Sequence, residues 1–443
     1  MKGLLFTYAL TYGGAVVSLF NPFVGLLIYI CFAIIKPESM WHWSVPAGNY
    51  SRIIAIALLV GWAANGFGNW NIGRARAVLW ALLGYMAWFA LSSLQAYDSV
   101  VSWHATEATA KIVLPFVVGI TIIDSVQKLK ALAWVIMLSQ GYVAYDLNMS
   151  YLSGYNRLTD VGFGGMDNNC NAIAMACGAG FAFFLGLAET GWRRWLAFIA
   201  AAVMTHAILF AFSRGGMVAL IIAGVVSFFL IPKRPIYYFY LLLAVVVGLR
   251  MAGPEVRDRF FSTFADQAER DTSAQSRIDM WTICADVTVE HPVFGIGPNN
   301  FPVLASRLGL TEGKQAHSLW LQVGAELGFP GLGFLLAFYL LTMVRLWHLA
   351  RAVDPLDPDI ANSCRMVIAA LTGFMVAAQF VSLAGLEIPY YVALVGAGYL
   401  KCYGAVGVVD PAWAIENEES LHPSDSASHH GTWPVGHVVS RTH

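Results

Sequence analysis

The residues of this chain with the clearest chemical potential are a histidine and a few arginines at the edges of apolar runs. His317 opens the stretch QAHSLWLQVGAELGFPGL (residues 315–332) and is followed by Ser318. With an unperturbed pKa near 6.5, a histidine can take a proton from a hydroxyl close to neutral pH. A lone histidine at a helix end is more often a cap or a hydrogen-bonded structural group. Arg214 stands in FSRGG, between two apolar runs. A charge inside a membrane helix costs about 2.5–3.5 kcal/mol on insertion scales, so such residues face a cavity or the interface. The alternative is an arginine that snorkels and ends a span. Gly215 and Gly216 would let an anion approach the backbone at a helix start.

Arg277 lies in SRIDMW, in a long loop with nine carboxylates and six basic residues, where an arginine alone is most often ion-paired or solvated. Trp281, four residues on, shares its helical face and could stack on a sugar or anchor the loop. GIGPNNF (295–301) lacks the third glycine and the strand–helix frame of a nucleotide loop. It reads instead as a turn that positions Asn299 and Asn300. Arg157 is a further cation that could join an anion site, and Lys111 another. No carboxylate pair, HExxH or Cys/His cluster points to a metal, and no cofactor is expected.

The elements that must position these residues are membrane helices. Of 443 residues, 58% are hydrophobic and 12% charged, with mean hydropathy +0.62; a soluble domain carries about 25% charged residues. The expected fold class is all-α, a polytopic membrane protein. Net charge is −1 and no basic cluster suggests nucleic acid. The N-terminus lacks a small-residue cleavage site, so the first helix is expected to stay as an anchor. The six cysteines (31, 170, 177, 284, 364, 402) form no CxxC pair and read as small buried hydrophobes.

A span needs roughly 20 apolar residues. Candidates are 4–20, 22–35, 53–66, 77–94, 107–124, 129–147, 169–189, 195–212, 215–231, 235–250, 326–347, 364–383 and 388–405, which gives 12 or 13 helices. The choice turns on whether Asn21-Pro22 divides two spans or kinks one. The basic loops at Arg74/Arg76, Lys128/Lys130, Arg193/Arg194, Lys233/Arg234 and Arg345/Arg351/Arg365 alternate, so all can lie in the cytoplasm. Loops 36–52, 95–106, 148–168, the Ser213–Arg214 junction, 251–316 and 384–388 then face outward, with Lys36 and Arg52 as exceptions to the charge bias. The chain therefore divides into N-terminal membrane helices (1–250, with an outward loop at 148–168), a large outward loop (251–316), C-terminal membrane helices (317–405) and a tail (406–443). The large loop has helical patterns near 255–270 and 277–290. The tail holds five of eleven histidines without the spacing of a metal site and reads as a disordered cytoplasmic end. No internal repeat is present.

Arginines and a histidine converging on the outer surface suit a lipid-linked diphosphate. Arginine forks match phosphate oxygens and keep their charge, and cations can stabilise a diphosphate leaving group without a metal. In sequence order, SRGG (213–216), SRIDMW (276–281), HPVFGIGPNNF (291–301) and AHSLWLQVGAELGFPG (316–331) resemble the O-antigen ligase and polymerase (Wzy-like) superfamily. NPFVGLLIYICFAIIKPESMW (21–41) further resembles its O-glycosylation ligase branch, associated with exosortase A systems and exopolysaccharide synthesis. The resemblance implies a metal-independent inverting glycosyltransferase of the GT-C type in the bacterial inner membrane. Such an enzyme takes a glycan from undecaprenyl diphosphate at the periplasmic face and passes it to a hydroxyl of a lipid, glycolipid or protein acceptor. Arg214 and Arg277 would hold the diphosphate and His317 would activate the acceptor. Ser318 departs from the asparagine that many relatives carry there, which leaves the partner that orients the base open. Two rival readings remain: a Wzy-type polymerase that joins lipid-linked repeat units, and a non-enzymatic flippase of lipid-linked glycans. Flippases place charges near the midplane, on broken helices and across internal repeats.

Overall fold

The computed structural model describes residues 2–231, 233, 272–382 and 385–403, with isolated positions between 235 and 250; side chains of the helix that begins at Thr272 are described from Arg277 onward. The expected span 235–250, the helical pattern at 255–270 and the tail 406–443 lie wholly or mostly outside the described residues. The chain is an all-α polytopic membrane protein, with no strand among the described residues.

The long helices in chain order are α1 (Lys2–Phe20), α2 (Pro22–Ile35), α3 (Tyr50–Ala64), α4 (Arg76–Ser93), α5 (Ser99–Ile122), α6 (Val126–Leu152), α7 (Asn168–Ala188), α8 (Gly191–Phe210), α9 (Arg214–Leu230), α10 (Thr272–Glu290), α11 (Leu319–Val353), α12 (Pro358–Ala377) and α13 (Ile388–Tyr403). Each expected span outside 235–250 coincides with one of these. Among the described residues, eight helical segments are long and apolar enough by themselves to cross a bilayer, and α3 and α9 are shorter apolar helices. Asn21-Pro22 divides two helices rather than kinking one. Asn21 leaves the helical region (φ −133°, ψ 89°) and its side chain accepts the Val24 N–H, while Pro22 takes the first helical position, where no N–H is needed.

Two boundaries differ from the sequence expectation. α5 begins eight residues early, because Asp98 accepts the N–H groups of Val100 and Val101 and caps a helix inside the expected loop 95–106. α11 begins at Leu319 and runs through Gly328 and Pro330, where it breaks but does not stop.

α7 lies at the centre, packed mainly on α12 and α8. Its small residues permit the close approach. Gly178 sits against Gln140 and Met204, Gly180 against the Ala369 backbone and Gly186 against Phe198. With lipid tails as apolar as leucine, van der Waals contact between small-residue faces holds such helices together. Gln140, buried on α6, donates to the Ala174 carbonyl and adds a polar tie across the same interface.

The loops separate into two faces. On one, Lys401 donates to the carbonyls of Asn69 and Ile120, Arg345 to that of Arg74, and Trp134 to Glu189. On the other, the 95–102 segment bonds to 296–300, Lys36 to Gly164, Asn156 to Phe210, and Leu319 to Ala378.

Candidate functional site

His317 lies on the second face, one residue before the cap of α11. Ser318 is extended and fully buried, and its hydroxyl accepts the Leu321 N–H. His317 itself adopts a left-handed backbone (φ 52°), which a side chain with a Cβ pays for with about 1–3 kcal/mol of strain. The first two residues of α11 are tied down next to it. The Leu319 N–H donates to the Ala378 carbonyl at 2.8 Å, and Trp320 donates to the Met375 carbonyl at 3.0 Å. The start of α11 is thereby pinned to the end of α12, and the histidine is fixed in the turn above it.

The electrostatics around His317 identify its neighbours. Burial holds its imidazole below the usual histidine value, the positive charges of Arg277 and Lys314 push it further down, and Asp167 opposes them. The ring is therefore neutral near pH 7, the form that can accept a proton.

Arg214 is the first residue of α9. Ser213 caps the helix by accepting the Gly216 N–H at 3.2 Å. The preceding turn, with Phe212 at φ 52°, is held by two asparagines of another loop. Asn156 donates to the Phe210 carbonyl and Asn168 to the Ala211 carbonyl, each at 2.8 Å. The two glycines after Arg214 serve packing. A Cβ on Gly215 would lie 2.7 Å from Phe380 Cβ, and one on Gly216 2.7 Å from Ala172 Cβ. On α10, Trp281 comes one turn after Arg277, and its ring centroid is 6.4 Å from that of Phe380.

Three sequence motifs thus meet on one short segment after α12. Gly215, beside Arg214, touches Phe380; Trp281, beside Arg277, faces the same ring; and Leu319, beside His317, bonds to Ala378. Nothing in the composition of 378–380 marks it as the meeting point.

The loop 291–301 forms a second layer. Its backbone pairs with the break in α11: Ile296 N–H donates to the Ala325 carbonyl, Gly297 to Glu326, and Phe329 to Pro292. Gly328 (φ 66°) and Gly295 (φ 66°) allow this approach, since a Cβ would fall 2.3 Å from the Val293 oxygen in the first case and 2.2 Å from the Glu326 carbonyl carbon in the second. The Glu326 carboxylate accepts the N–H groups of Asn299 (2.8 Å) and Phe301 (3.3 Å) and the Gln322 amide (2.9 Å). Asn300 is fully buried. Its Nδ2 donates to Ser102 Oγ, Pro298 O and Asp98 O, and its Oδ1 accepts the Asp98 N–H. Trp88 closes the layer, stacking on Phe294 and donating to the Leu327 carbonyl.

Asn299 and Asn300 therefore fix the loop through backbone and side chain. Glu326, Trp88, Ser92, Asp98 and Ser102, which do this fixing, were not singled out from the sequence. Only Glu326 carried a signal, as a lone carboxylate in an apolar run.

The remaining expected site residues lie elsewhere. Arg157 pairs with Asp146 (3.2 Å), donates to the Ser39 carbonyl (2.6 Å) and covers the Phe163 ring. It latches the 153–167 loop to the 36–40 turn. Lys111 forms an exposed ion pair with Glu107, while its carbonyl accepts the Tyr29 hydroxyl. Among the described residues, no group of three or more His, Cys, Asp or Glu could hold a metal ion.

Comparison with known proteins adds two matches. Residues 199–336 match a family described as O-antigen ligase. Residues 1–158 match a family of unknown function (DUF5935). No curated protein matches the chain. The first match contains Arg214, Arg277, Trp281, Asn299, Asn300, His317 and Ser318, together with Glu326.

Proposed function

We propose, from the premise that this chain is a member of the O-antigen ligase superfamily through residues 199–336, that it is the ligase of a lipid-linked glycan. In this reading it takes the glycan from undecaprenyl diphosphate at the periplasmic face of the inner membrane and passes it to a hydroxyl of a lipid, glycolipid or protein. Arg214 and Arg277 bind the diphosphate. His317 takes the proton from the acceptor hydroxyl as the oxygen attacks the anomeric carbon, and the carrier diphosphate leaves. Trp281 and Asn299 line the way to the sugar.

The observation that carries the reading is the convergence of the Arg214, Arg277 and His317 segments on residues 378–380, with Arg277 close enough to depress the histidine's proton affinity. A base kept neutral beside fixed cations is the pair that glycosyl transfer to a hydroxyl requires: one group removes a proton while the others hold negative charge. The association with exosortase systems and exopolysaccharide rests on the resemblance of residues 21–41.

The test is to size the undecaprenyl diphosphate-linked glycans in cells that lack the protein. Long carrier-linked chains with none on an acceptor are expected. Accumulated single repeat units would replace the ligase reading with a polymerase, and glycan trapped on the cytoplasmic face would replace it with a flippase.

A further inference from the structure

A cavity opens on the same face, lined mostly by residues of the segment that matches the family of unknown function. Its volume is about 460 Å³, within the range of roughly 300–1,000 Å³ typical of small-ligand sites. It lies between the end of α2, the 37–39 turn, the start of α3, Gly164 and Glu387. Lys36, one of the two exceptions to the inside-positive charge bias, stands in its wall. A left-handed backbone (φ 47°) ends α2 there, and the Lys36 ammonium donates to the Gly164 carbonyl at 2.8 Å.

The lining is that of a polyol site. Tyr29 and Tyr50 have their hydroxyls engaged elsewhere, on the Lys111 and Pro46 carbonyls, so toward the cavity they offer rings. Phe32 adds a third aromatic wall. Ser39 and Ser51 bring hydroxyls. Glu38 and Glu387 bring carboxylates, one oxygen of Glu38 already accepting the Gly48 N–H. Among the described residues, the Glu387 carboxylate has only a long 3.4 Å hydrogen bond from the Tyr391 hydroxyl. Burial pushes its acid up to about 6, against the opposing charge of Lys36. Aromatic faces beside carboxylate and hydroxyl acceptors are what a sugar ring meets, through its apolar C–H face and its hydroxyl edge.

Two segments that line the cavity are close in sequence to residues of the candidate site. Gly164 is three residues before Asp167, whose charge acts on His317, and Glu387 is seven residues after Phe380. Arg157 fastens the first of these segments to the Ser39 carbonyl at the cavity rim.

We propose that this cavity is a saccharide-binding site in which Glu387 accepts sugar hydroxyls and the Tyr29, Phe32 and Tyr50 rings flank the ring face. Resting on the reading above, it holds the sugar of the acceptor next to the transfer site.

The test is saturation-transfer NMR on the full chain in lipid nanodiscs. The probes are the methyl glycosides of glucose, galactose, mannose and N-acetylglucosamine, with ethanolamine as the competing amine. At least one glycoside should be saturated. Ser51→Trp, and separately Ala33→Phe, should abolish the signal by filling the cavity, and Glu387→Gln should weaken binding roughly tenfold. His317→Ala should leave it intact. No saturation by any of the four glycosides, a signal that survives both filling variants in folded protein, or binding of ethanolamine in place of the sugars would overturn the assignment. These readouts use neither donor nor turnover. Retained sugar binding with failed transfer would remove the ligase reading and leave the cavity, and lost binding with intact transfer would do the reverse.

Discussion

At the residue scale the site turns on one histidine and the charges that surround it. His317 is neutral near pH 7 because burial, Arg277 and Lys314 disfavour its cation. As the base, it should make kcat/KM fall only when pH drops below this lowered value. Lys314→Gln removes one positive neighbour, raises the imidazole's proton affinity, and should move the acid limb of the pH–rate profile to higher pH. An unmoved limb would show that another group titrates in the rate. His317→Ala should lower transfer by about 10²–10⁴-fold with normal protein level, as expected for loss of a general base. Preserved activity would remove that role. Arg277→Lys keeps the charge but loses the planar fork, so weaker donor binding is expected from a titration with carrier-linked glycan. The proposed roles of these residues were legible in their types and order. The left-handed backbone of His317 was not, and neither was the bond beside it from Leu319 to Ala378, across 59 residues of chain.

At the element scale the break in α11 is what holds the large loop to the membrane domain. Glu326 anchors two loop N–H groups, and Gly328 lets the Pro292 and Val293 carbonyls come against the helix. Glu326→Ala would leave the Phe301 N–H and the Gln322 amide, both buried, without this acceptor, at a cost of about 1–3 kcal/mol each. A lower unfolding midpoint in detergent is the expected readout, with Glu326→Gln losing less because its amide oxygen can still accept. Gly328→Ala forces a Cβ into a left-handed position 2.3 Å from a carbonyl oxygen and should destabilise more than the conformational difference of about 1 kcal/mol alone. In sequence, GFPG reads as a point where a span begins. Its use as a docking edge depends on residues 291–297, which no local pattern connects to it.

At the scale of the whole molecule the two faces carry different work. One holds the Lys401 and Arg345 contacts to loop carbonyls, and the other gathers the candidate site, the 291–301 loop and the cavity beside Lys36 and Glu387. In the proposed orientation, Val161→Cys, exposed in the 153–167 loop, should react with a membrane-impermeant maleimide in cells with an opened outer membrane. Leu356→Cys, exposed between α11 and α12, should react only after the inner membrane is permeabilised. Labelling in the opposite order would invert the topology. The sequence by itself determined the helices, because each span must be apolar over its own length and must satisfy its backbone within itself, which are local conditions. It also determined which residues could carry charge and protons at the helix ends. Only the tertiary structure decided which of those ends meet. The Arg214, Arg277 and His317 segments come together on Ala378 and Phe380, while Arg157 and Lys111 are engaged elsewhere. The physical reason is that helix packing is governed by small residues and shape on faces far apart in the chain, such as Gly215 on Phe380 and Gly180 on Ala369, and a linear pattern records each face but not its partner.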